Sequence, residues 1–241
     1  MEVGKYGYQE YKSPDLVTQE EANQKLKIPT EVNFSNERYV ILKEKGFNPS
    51  RVLDIGANMG QWFQLIKSHF PDSEVLSIEA NPHNLDNIRS VNPNSRIMLL
   101  GKEEGEADFF LSNGPAHCGG ASMYQETSPY YSEAKKITLP VKTLDSLGER
   151  FDLIKIDTQG SELDIIKGGL ETVASCSFLQ IELGVLKYNK GAPLAAEVIS
   201  YLNEIGFYFY EILTHFYWGH RLSHFDALFI NKKMESLLEL D

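Results

Sequence analysis

The sequence predicts a doubly wound α/β fold, and three observations carry that prediction. Short apolar strands alternate with helix-patterned segments from Arg51 onward, a glycine-bearing turn joins the first strand to its helix, and a carboxylate, Glu79, closes the second strand. Strands that read as unbroken apolar runs are covered on both faces, which is the mark of parallel pairing through βαβ crossovers.

Residues 1–47 read as a mainly helical N-terminal extension, 48–231 as the main domain and 232–241 as a tail. Thr18–Glu21 fits a capping box and predicts a short helix, which Pro29 interrupts. A second helix is predicted from Ser35, as N-cap, to Lys45, with Gly46 as its stop. Arg51–Ile55 is the first strand, and a helix follows from near Met59. Glu74–Glu79 is the second strand, with a helix from Pro82, a favoured first helical residue. Arg96–Leu100 is the third. Ala107–Leu111 and Ile137–Val141 read as edge strands, because Pro140 cannot donate to a ladder. Between them Ser112–Lys136 is rich in Gly, Ser and Tyr, and so long a loop in a compact domain is commonly functional. Parallel strands resume at Phe151–Ile156 and Phe178–Glu182. A helix over Pro193–Ile205 stops at Gly206, and Phe207–Ile212 and Ala227–Ile230 complete the set.

The chain's 241 residues suit one α/β domain with an extension. Its net charge of −11 disfavours nucleic acid and anionic lipid as partners, since both demand clustered cations. No apolar run is long enough to span a bilayer and no basic-then-apolar leader opens the chain. The expectation is therefore a soluble, cytoplasmic protein without membrane insertion. Cys118 and Cys176 are expected to be free thiols. His215, His220 and His224 crowd a C-terminal loop, but their spacing fits no zinc pattern and no cysteine stands near them, so no metal is predicted.

The sharpest motif is Asp54-Ile-Gly56-Ala57-Asn58-Met-Gly60. Gly56 permits a tight turn and close approach of a ligand, and Gly60 lets the helix pack on the sheet. Glu79 follows at the distance from which a carboxylate receives two ribose hydroxyls. A dinucleotide turn needs glycine where Asn58 stands, so that the pyrophosphate can approach. The Asp54 carboxylate would repel a pyrophosphate and suits a ligand carrying an ammonium or sulfonium. The turn thus favours S-adenosyl-L-methionine over NAD. An NAD-dependent oxidoreductase and a non-catalytic nucleotide-binding module of the same fold are the alternatives. The cofactor contacts expected are Asp54, Gly56, Ala57, Asn58, Gly60, Glu79, Ala80 and Asp157.

Further stretches sharpen this reading. Ile78–Pro82, Gly119–Met123, Val141–Asp145, Ile154–Glu162, Ile181-Glu182, Gly206-Phe207 and Asp226–Phe229 stand in an order and spacing that resemble the FkbM family of methyltransferases, over roughly residues 48–231. The resemblance implies a Rossmann-like methyltransferase fold, with a mostly parallel seven-stranded sheet whose last strand is antiparallel. It implies S-adenosyl-L-methionine as methyl donor and a small-molecule or glycan acceptor, such as the hydroxyl of a sugar or natural product. Gly101-Lys102 departs from the small residue and serine that often follow the third strand in the family, which bears on the adenine contacts. Thr158 stands where valine is commoner.

Methyl transfer to oxygen needs alignment, worth about 7–11 kcal/mol, and removal of the hydroxyl proton, worth about 10²–10⁴-fold. Asp157, at the end of the fourth parallel strand, is the first candidate for the base, and could instead hold the donor. Lys155 points to the same face two residues earlier; it could tune Asp157, bind the acceptor oxygen or form a structural pair. Glu182 ends the fifth strand in the same crevice and could bind or deprotonate the acceptor, or merely pair. Glu162 suits the first turn of the next helix, where a carboxylate favours the dipole. His117 is a further acceptor-side candidate. Tyr124, Tyr130, Tyr131, Phe216, Tyr217 and Trp218 fall in two loops where aromatic faces would suit sugar rings. The N-terminal extension offers a surface through which a homodimer could form.

Overall fold

The computed structural model describes residues 31–111, 118–127 and 134–237, so the helix predicted at Thr18–Glu21 lies outside the described residues. The first half of the chain forms β1 (Glu31–Asn33), α1 (Ser35–Glu44), β2 (Arg51–Ile55), α2 (Gln61–His69), β3 (Glu74–Glu79), α3 (Leu85–Val91), β4 (Ser95–Ile97), β5 (Leu99–Leu100) and β6 (Gly105–Leu111). The second half forms β7 (Lys135–Lys142), β8 (Leu153–Ile156), α4 (Glu162–Lys167), α5 (Leu170–Ser175), β9 (Phe178–Gly184), α6 (Ala195–Glu204), β10 (Phe207–Trp218) and β11 (Arg221–Asn231).

The main sheet runs β1-β10-β11-β9-β8-β2-β3-β4. β4, β3, β2, β8 and β9 pair in parallel, and β11 enters antiparallel between β9 and β10. These are the seven strands expected, with the last one antiparallel. β1 adds an eighth at the edge, with Glu31 opposite Phe216 and Asn33 opposite Thr214. Three residues carry no periodicity of their own; β1 exists because β10 offers an open ladder edge. α1 follows as predicted, although its cap is Phe34, and Asn33 Oδ1 accepts from Ser35 N at 2.9 Å. No helix among the described residues is long and apolar enough to cross a membrane.

Two layers of helix explain why the strands look uniformly apolar. On one face Leu163, Ile166, Val173, Val198 and Leu202 pack on Leu53, Ile55, Ile154, Ile156, Leu179 and Ile181. On the other, Tyr39, Leu42, Trp62 and Ile66 pack on Val52, Val75, Leu153, Phe178 and Leu228. That second face changes character toward the carboxyl ends of the strands. Register places Ser77, Asp54, Lys155 and Gln180 in one row across it, and Glu182 opposite Asp226 one step further. All six are buried. The chain proceeds both ways from β2, which puts the topological switch point above β2 and β8.

Two expectations need correction. The third strand is not continuous: Ser95–Ile97 stays in the main sheet, and after Met98 the chain crosses into a separate three-stranded sheet ordered β5-β7-β6. Ala107–Leu111 and Ile137–Val141 belong to that small sheet, where β7 is central rather than an edge. Pro140 is tolerated because β5 pairs only with Val141 and Lys142, leaving that flank of Pro140 open. The C-terminal histidines and aromatics are also not in a loop. β10 and β11 form one long hairpin closed by Gly219-His220, so His215, Phe216, Tyr217, Trp218 and His224 stand on strands. Register shifts between Phe209/Glu211, Ile212/Thr214 and Phe216/Tyr217 break the period-two pattern that would have announced them.

Candidate active site

The carboxyl ends of β2, β3 and β8 open into a cleft. Of the expected cofactor contacts, Gly56, Asn58, Glu79, Ala80 and Asp157 line it, whereas Asp54, Ala57 and Gly60 do not. Met98, Leu99, Leu100 and Phe109 supply an apolar wall, and Thr158, Gln159 and Ser161 a polar one. None of these was expected from sequence as a contact, although Thr158 was noted as standing where valine is commoner. Thr158–Ser161 sit in the Ile154–Glu162 block, which was the available signal. Phe109 had none, because it arrives with the small sheet.

The turn is built for its neighbours. Gly56 has φ +77, and a Cβ there would lie 1.7 Å from the Asp157 carbonyl oxygen. Its glycine therefore answers to the backbone of β8 before it answers to a ligand. Gly60 has φ +85, and a Cβ would stand 3.1 Å from Val91 at the end of α3, so its close neighbour is a second helix rather than the sheet. Asn58, with φ +50, turns its N–H to Glu79 Oε2 at 2.7 Å, while Asn81 N donates to Glu79 Oε1 at 2.7 Å. Burial pushes the Glu79 carboxyl up and these backbone bonds only partly offset it. A carboxylate offers about four lone-pair sites, so two remain for ligand hydroxyls.

Lys155 sits beneath the cleft as a buried cation. Its Nζ lies 3.1 Å from Asp157 Oδ2, 3.7 Å from Asp54 Oδ1 and 5.9 Å from the Trp62 ring. Burial opposes its charge, but Asp157, Asp54 and Asp226 outweigh it and hold the ammonium well above the usual lysine range. For Asp157, burial raises and Lys155 lowers; the hydrogen bonds from Lys155 and Gln159 tip the balance, and the carboxyl stays below its ordinary value. Asp54 fares differently. It is fully buried, neither oxygen has a hydrogen-bond partner, and burial pushes it up to about 6 against the pull of Lys155. Lys155 is thus a buried ion-pair partner of Asp157 and Asp54, and lines neither the cleft nor the cavity beside Glu182.

Glu182 belongs to a second network. Gln159 Nε2 donates to Glu182 Oε2 at 2.6 Å and to Asp157 Oδ1 at 3.2 Å, bridging the two carboxyls. Gln159 holds a left-handed backbone, φ +58, and its carbonyl accepts from Ser122 Oγ at 2.8 Å and Asn189 Nδ2 at 2.7 Å. Glu182 Oε1 lies 3.4 Å from His224 Nε2. The tautomer of that histidine follows from its other nitrogen. Ser223 Oγ donates its one proton to Phe216 O at 3.1 Å, so at 3.0 Å it can only accept from His224 Nδ1. Nε2 is then a lone pair, and it bonds Glu182 only when Glu182 carries the proton. The charges agree: burial and then Asp157 push Glu182 well up, and burial lowers His224 to about 4. Glu162, at the start of α4, accepts from Thr158 N and Gly160 N at 2.9 and 3.0 Å, a loop-closing role. Tyr124 donates to Asp164 Oδ2 at 2.7 Å. His117, Tyr130 and Tyr131 lie outside the described residues, as does the Cys118 side chain; Cys176 is a buried free thiol.

These burials set a pH dependence of stability. A carboxyl raised on folding contributes stability below its ordinary value of 3.8, and this is lost as pH rises through its folded value, about 6 for Asp54 and about 7 for Asp226. His224, lowered from 6.5 to about 4, runs the other way and masks part of the loss below 6.5. Above that, Asp226 and Glu182 act unopposed. The melting temperature is expected to fall by several degrees from about pH 6.5 to about pH 8. A flat or rising profile in scanning calorimetry would mean that these carboxyls are solvated.

The cleft fits a nucleoside bearing a positive charge. Glu79 has capacity for hydroxyls, Phe109 and Met98 offer an apolar wall, and Glu79 and Asp157 make the cleft acidic, with no basic side chain among its described lining residues. The sequence profile of the methyltransferase FkbM domain matches residues 54–209. The chain is 26% identical over 151 residues to "Methyltransferase 1" of Beauveria bassiana, covering 49% of this chain and 58% of that one. It is 27% identical over 165 residues to "2-O-methyltransferase NoeI" of Sinorhizobium fredii, covering 60% and 68%. Among solved structures, methyltransferase FkbM from Methylobacillus flagellatus aligns with a TM-score of 0.48 and 16% identity, over 75% of this chain and 43% of that one. The chain thus spans little more than half the length of the first of these relatives and less than half of the last.

Proposed function

The chain belongs to the FkbM methyltransferase family, and on that premise we propose that it transfers a methyl group from S-adenosyl-L-methionine to a hydroxyl of a sugar, glycan or natural product. The observation that carries the donor is the charge of the cleft. Glu79 and Asp157 line it and no described lining residue is basic, so a pyrophosphate would meet only carboxyls whereas a sulfonium meets opposite charge. This leaves the NAD reading without support. The 2-O-methyltransferase among the relatives supports oxygen as the acceptor atom.

The donor supplies an electrophilic methyl group on a sulfonium. Glu79 would hold ribose hydroxyls, and Met98, Leu100 and Phe109 the base. Asp157, kept ionised by Lys155, faces the donor's positive charge and is a weak base for the same reason. Glu182 is the better proton acceptor, because a carboxyl raised toward the working pH matches the task. It takes the hydroxyl proton on Oε2 while the proton on Oε1 passes to the His224 Nε2 lone pair. The His224 side chain is 23% exposed and can then release a proton to solvent.

Calorimetric titration with S-adenosylhomocysteine, with NAD as control, tests the donor. Micromolar or tighter binding of the former alone is expected; binding of NAD instead overturns the reading. Asp157→Asn separates its role further. The sulfonium of S-adenosylmethionine is cationic and the thioether of S-adenosylhomocysteine is not. The substitution should weaken the former by roughly tenfold or more, the scale of one charge contact in a partly wet site, and the latter little. Equal losses would remove the charge role from Asp157.

A further inference from the structure

Three lysines that lie apart in sequence meet in one groove. Lys167 comes from the end of α4, and Lys187 and Lys190 from the loop after β9. The groove holds about 600 Å³, within the range of about 300–1,000 Å³ that is common for ligand sites. Lys187 and Lys190 are exposed, and neither ammonium has a hydrogen-bond or ion-pair partner among the described residues. Lys167 Nζ stands 5.3 Å from the centre of the Tyr201 ring. Two carboxylates also line the groove, and each already accepts a hydrogen bond. Asp164 Oδ2 accepts from the Tyr124 hydroxyl at 2.7 Å, and Glu197 Oε2 accepts from Leu194 N at 2.9 Å at the start of α6. The rims are clasped together: Lys190 N donates to Gln125 O at 2.9 Å and Thr127 N to Tyr188 O at 2.7 Å. Ammonium groups fixed around one groove without counter-charges repel each other, so an anion among them is favourable.

The groove lies on the acceptor side of the site. It shares no lining residue with the donor cleft, so the carboxylate of the donor does not account for it. Asn189, Ala192, Pro193 and Leu194 line both the groove and the small cavity that Glu182 lines. Asn189 Nδ2 donates to Gln159 O, and Gln159 Nε2 joins Glu182 to Asp157. Asn189, next to Lys190 in the chain, thus ties the cationic rim to the proton-transfer network.

We propose that this groove binds an anionic group, a phosphate or a carboxylate, which the acceptor carries at a distance from the hydroxyl that is methylated. The inference rests on the methyl-transfer reading, which supplies the reason for an acceptor to approach Glu182. The donor cleft and the cavity beside Glu182 are lined by carboxyls, with no cationic side chain among their described lining residues. An anion is repelled from both. A charged acceptor therefore presents an uncharged hydroxyl to Glu182 and leaves its charge outside, on Lys167, Lys187 and Lys190. Three ammonium groups match one phosphate. They are too few for a nucleic acid or a charged bilayer surface.

The full chain, labelled with ¹⁵N and saturated with S-adenosylhomocysteine, is titrated at constant ionic strength with inorganic phosphate, acetate, glucose and glucose 6-phosphate. The backbone amides of Lys187, Lys190 and Gly191 report on the groove, and the side-chain amide of Gln159 reports on the proton-transfer network. Inorganic phosphate or acetate is expected to shift the groove amides saturably at millimolar concentration, and glucose to leave them in place. Glucose 6-phosphate is expected to shift them and the Gln159 amide together. Lys187 and Lys190 are exposed, so replacing them does not press on the fold. The double variant Lys187→Ala/Lys190→Ala should weaken anion binding roughly tenfold and hold S-adenosylhomocysteine affinity within about twofold, whereas Lys187→Arg/Lys190→Arg restores it. The inference is overturned if neither anion gives a saturable shift, or if the alanine variant responds like the wild type. It is overturned also if inorganic phosphate moves the groove while glucose 6-phosphate leaves Gln159 unmoved, which is the behaviour of a free-anion site. Failure of S-adenosylhomocysteine to bind the wild-type chain is a separate outcome, and it removes the methyl-transfer reading on which the inference depends.

Discussion

Glu182→Gln is expected to leave a folded chain that binds S-adenosylhomocysteine as the wild type does and transfers methyl groups about 10²–10⁴-fold more slowly. The reasoning starts from the state in which Glu182 already rests. Its Oε1 meets a lone pair on His224 at 3.4 Å and its Oε2 receives the Gln159 amide at 2.6 Å, which is the pattern of a protonated carboxyl. Glutamine copies that pattern, with its oxygen toward Gln159 and its NH₂ toward His224. The hydrogen bonds persist, and only the ability to take up and pass on a proton is lost. Because the glutamine never has to ionise in a buried site, the variant should also melt at or above the wild-type temperature at about pH 8. Single-turnover release of S-adenosylhomocysteine, with an acceptor that the wild-type chain methylates, reads the first effect and calorimetry the second. Turnover within about threefold of wild type would assign the proton to another group, and Asp157 would be next in line.

Gly56→Ala should be the most damaging single-methyl change in the turn. The added Cβ would lie 1.7 Å from the Asp157 carbonyl oxygen, an atom of the backbone that cannot rotate away. Relief requires β2 and β8 to separate where Asp157 N donates to Ile55 O at 3.0 Å. The left-handed φ of +77 adds a further cost for any side chain. Destabilisation above about 4 kcal/mol is expected, with donor binding lost wherever the chain still folds. Gly46→Ala is the control. It shares the left-handed φ, at +89, but its Cβ meets nothing within 4 Å, so about 1 kcal/mol is expected there. If Gly56→Ala melts like Gly46→Ala and still binds S-adenosylhomocysteine, the strand contact is looser than the geometry states.

The donor side of the site was largely legible before folding. Gly56, Asn58, Glu79, Ala80 and Asp157 all reach the cleft, because each stands at the end of a strand whose apolar run and following turn are contiguous in sequence. The acceptor side was hardly legible. Asn189 and Ser122 converge on the Gln159 carbonyl from positions 30 and 37 residues distant from it, and no local pattern reports such a meeting. His224 was visible only as one of three crowded histidines. Its pairing with Glu182 depends on β11 entering antiparallel beside β9, with His224 opposite Gly184. Phe109 reached the cleft because the third strand breaks at Met98 and leads into a second sheet, a change of direction that five apolar or long side chains in a row do not encode.

Asp54 marks the boundary between the two kinds of information. The sequence by itself determined that a carboxylate would close the first strand at the switch point, and that the strand would be parallel and buried, since apolar periodicity and glycine conformation act over a few residues. Only the tertiary structure decided that this carboxylate lies sealed beneath the cleft next to Lys155, while Asp157 and Glu182 receive opposite shifts in acidity. Those shifts come from desolvation and from charges brought together by long-range register, and both exist only once the sheet has closed and excluded water.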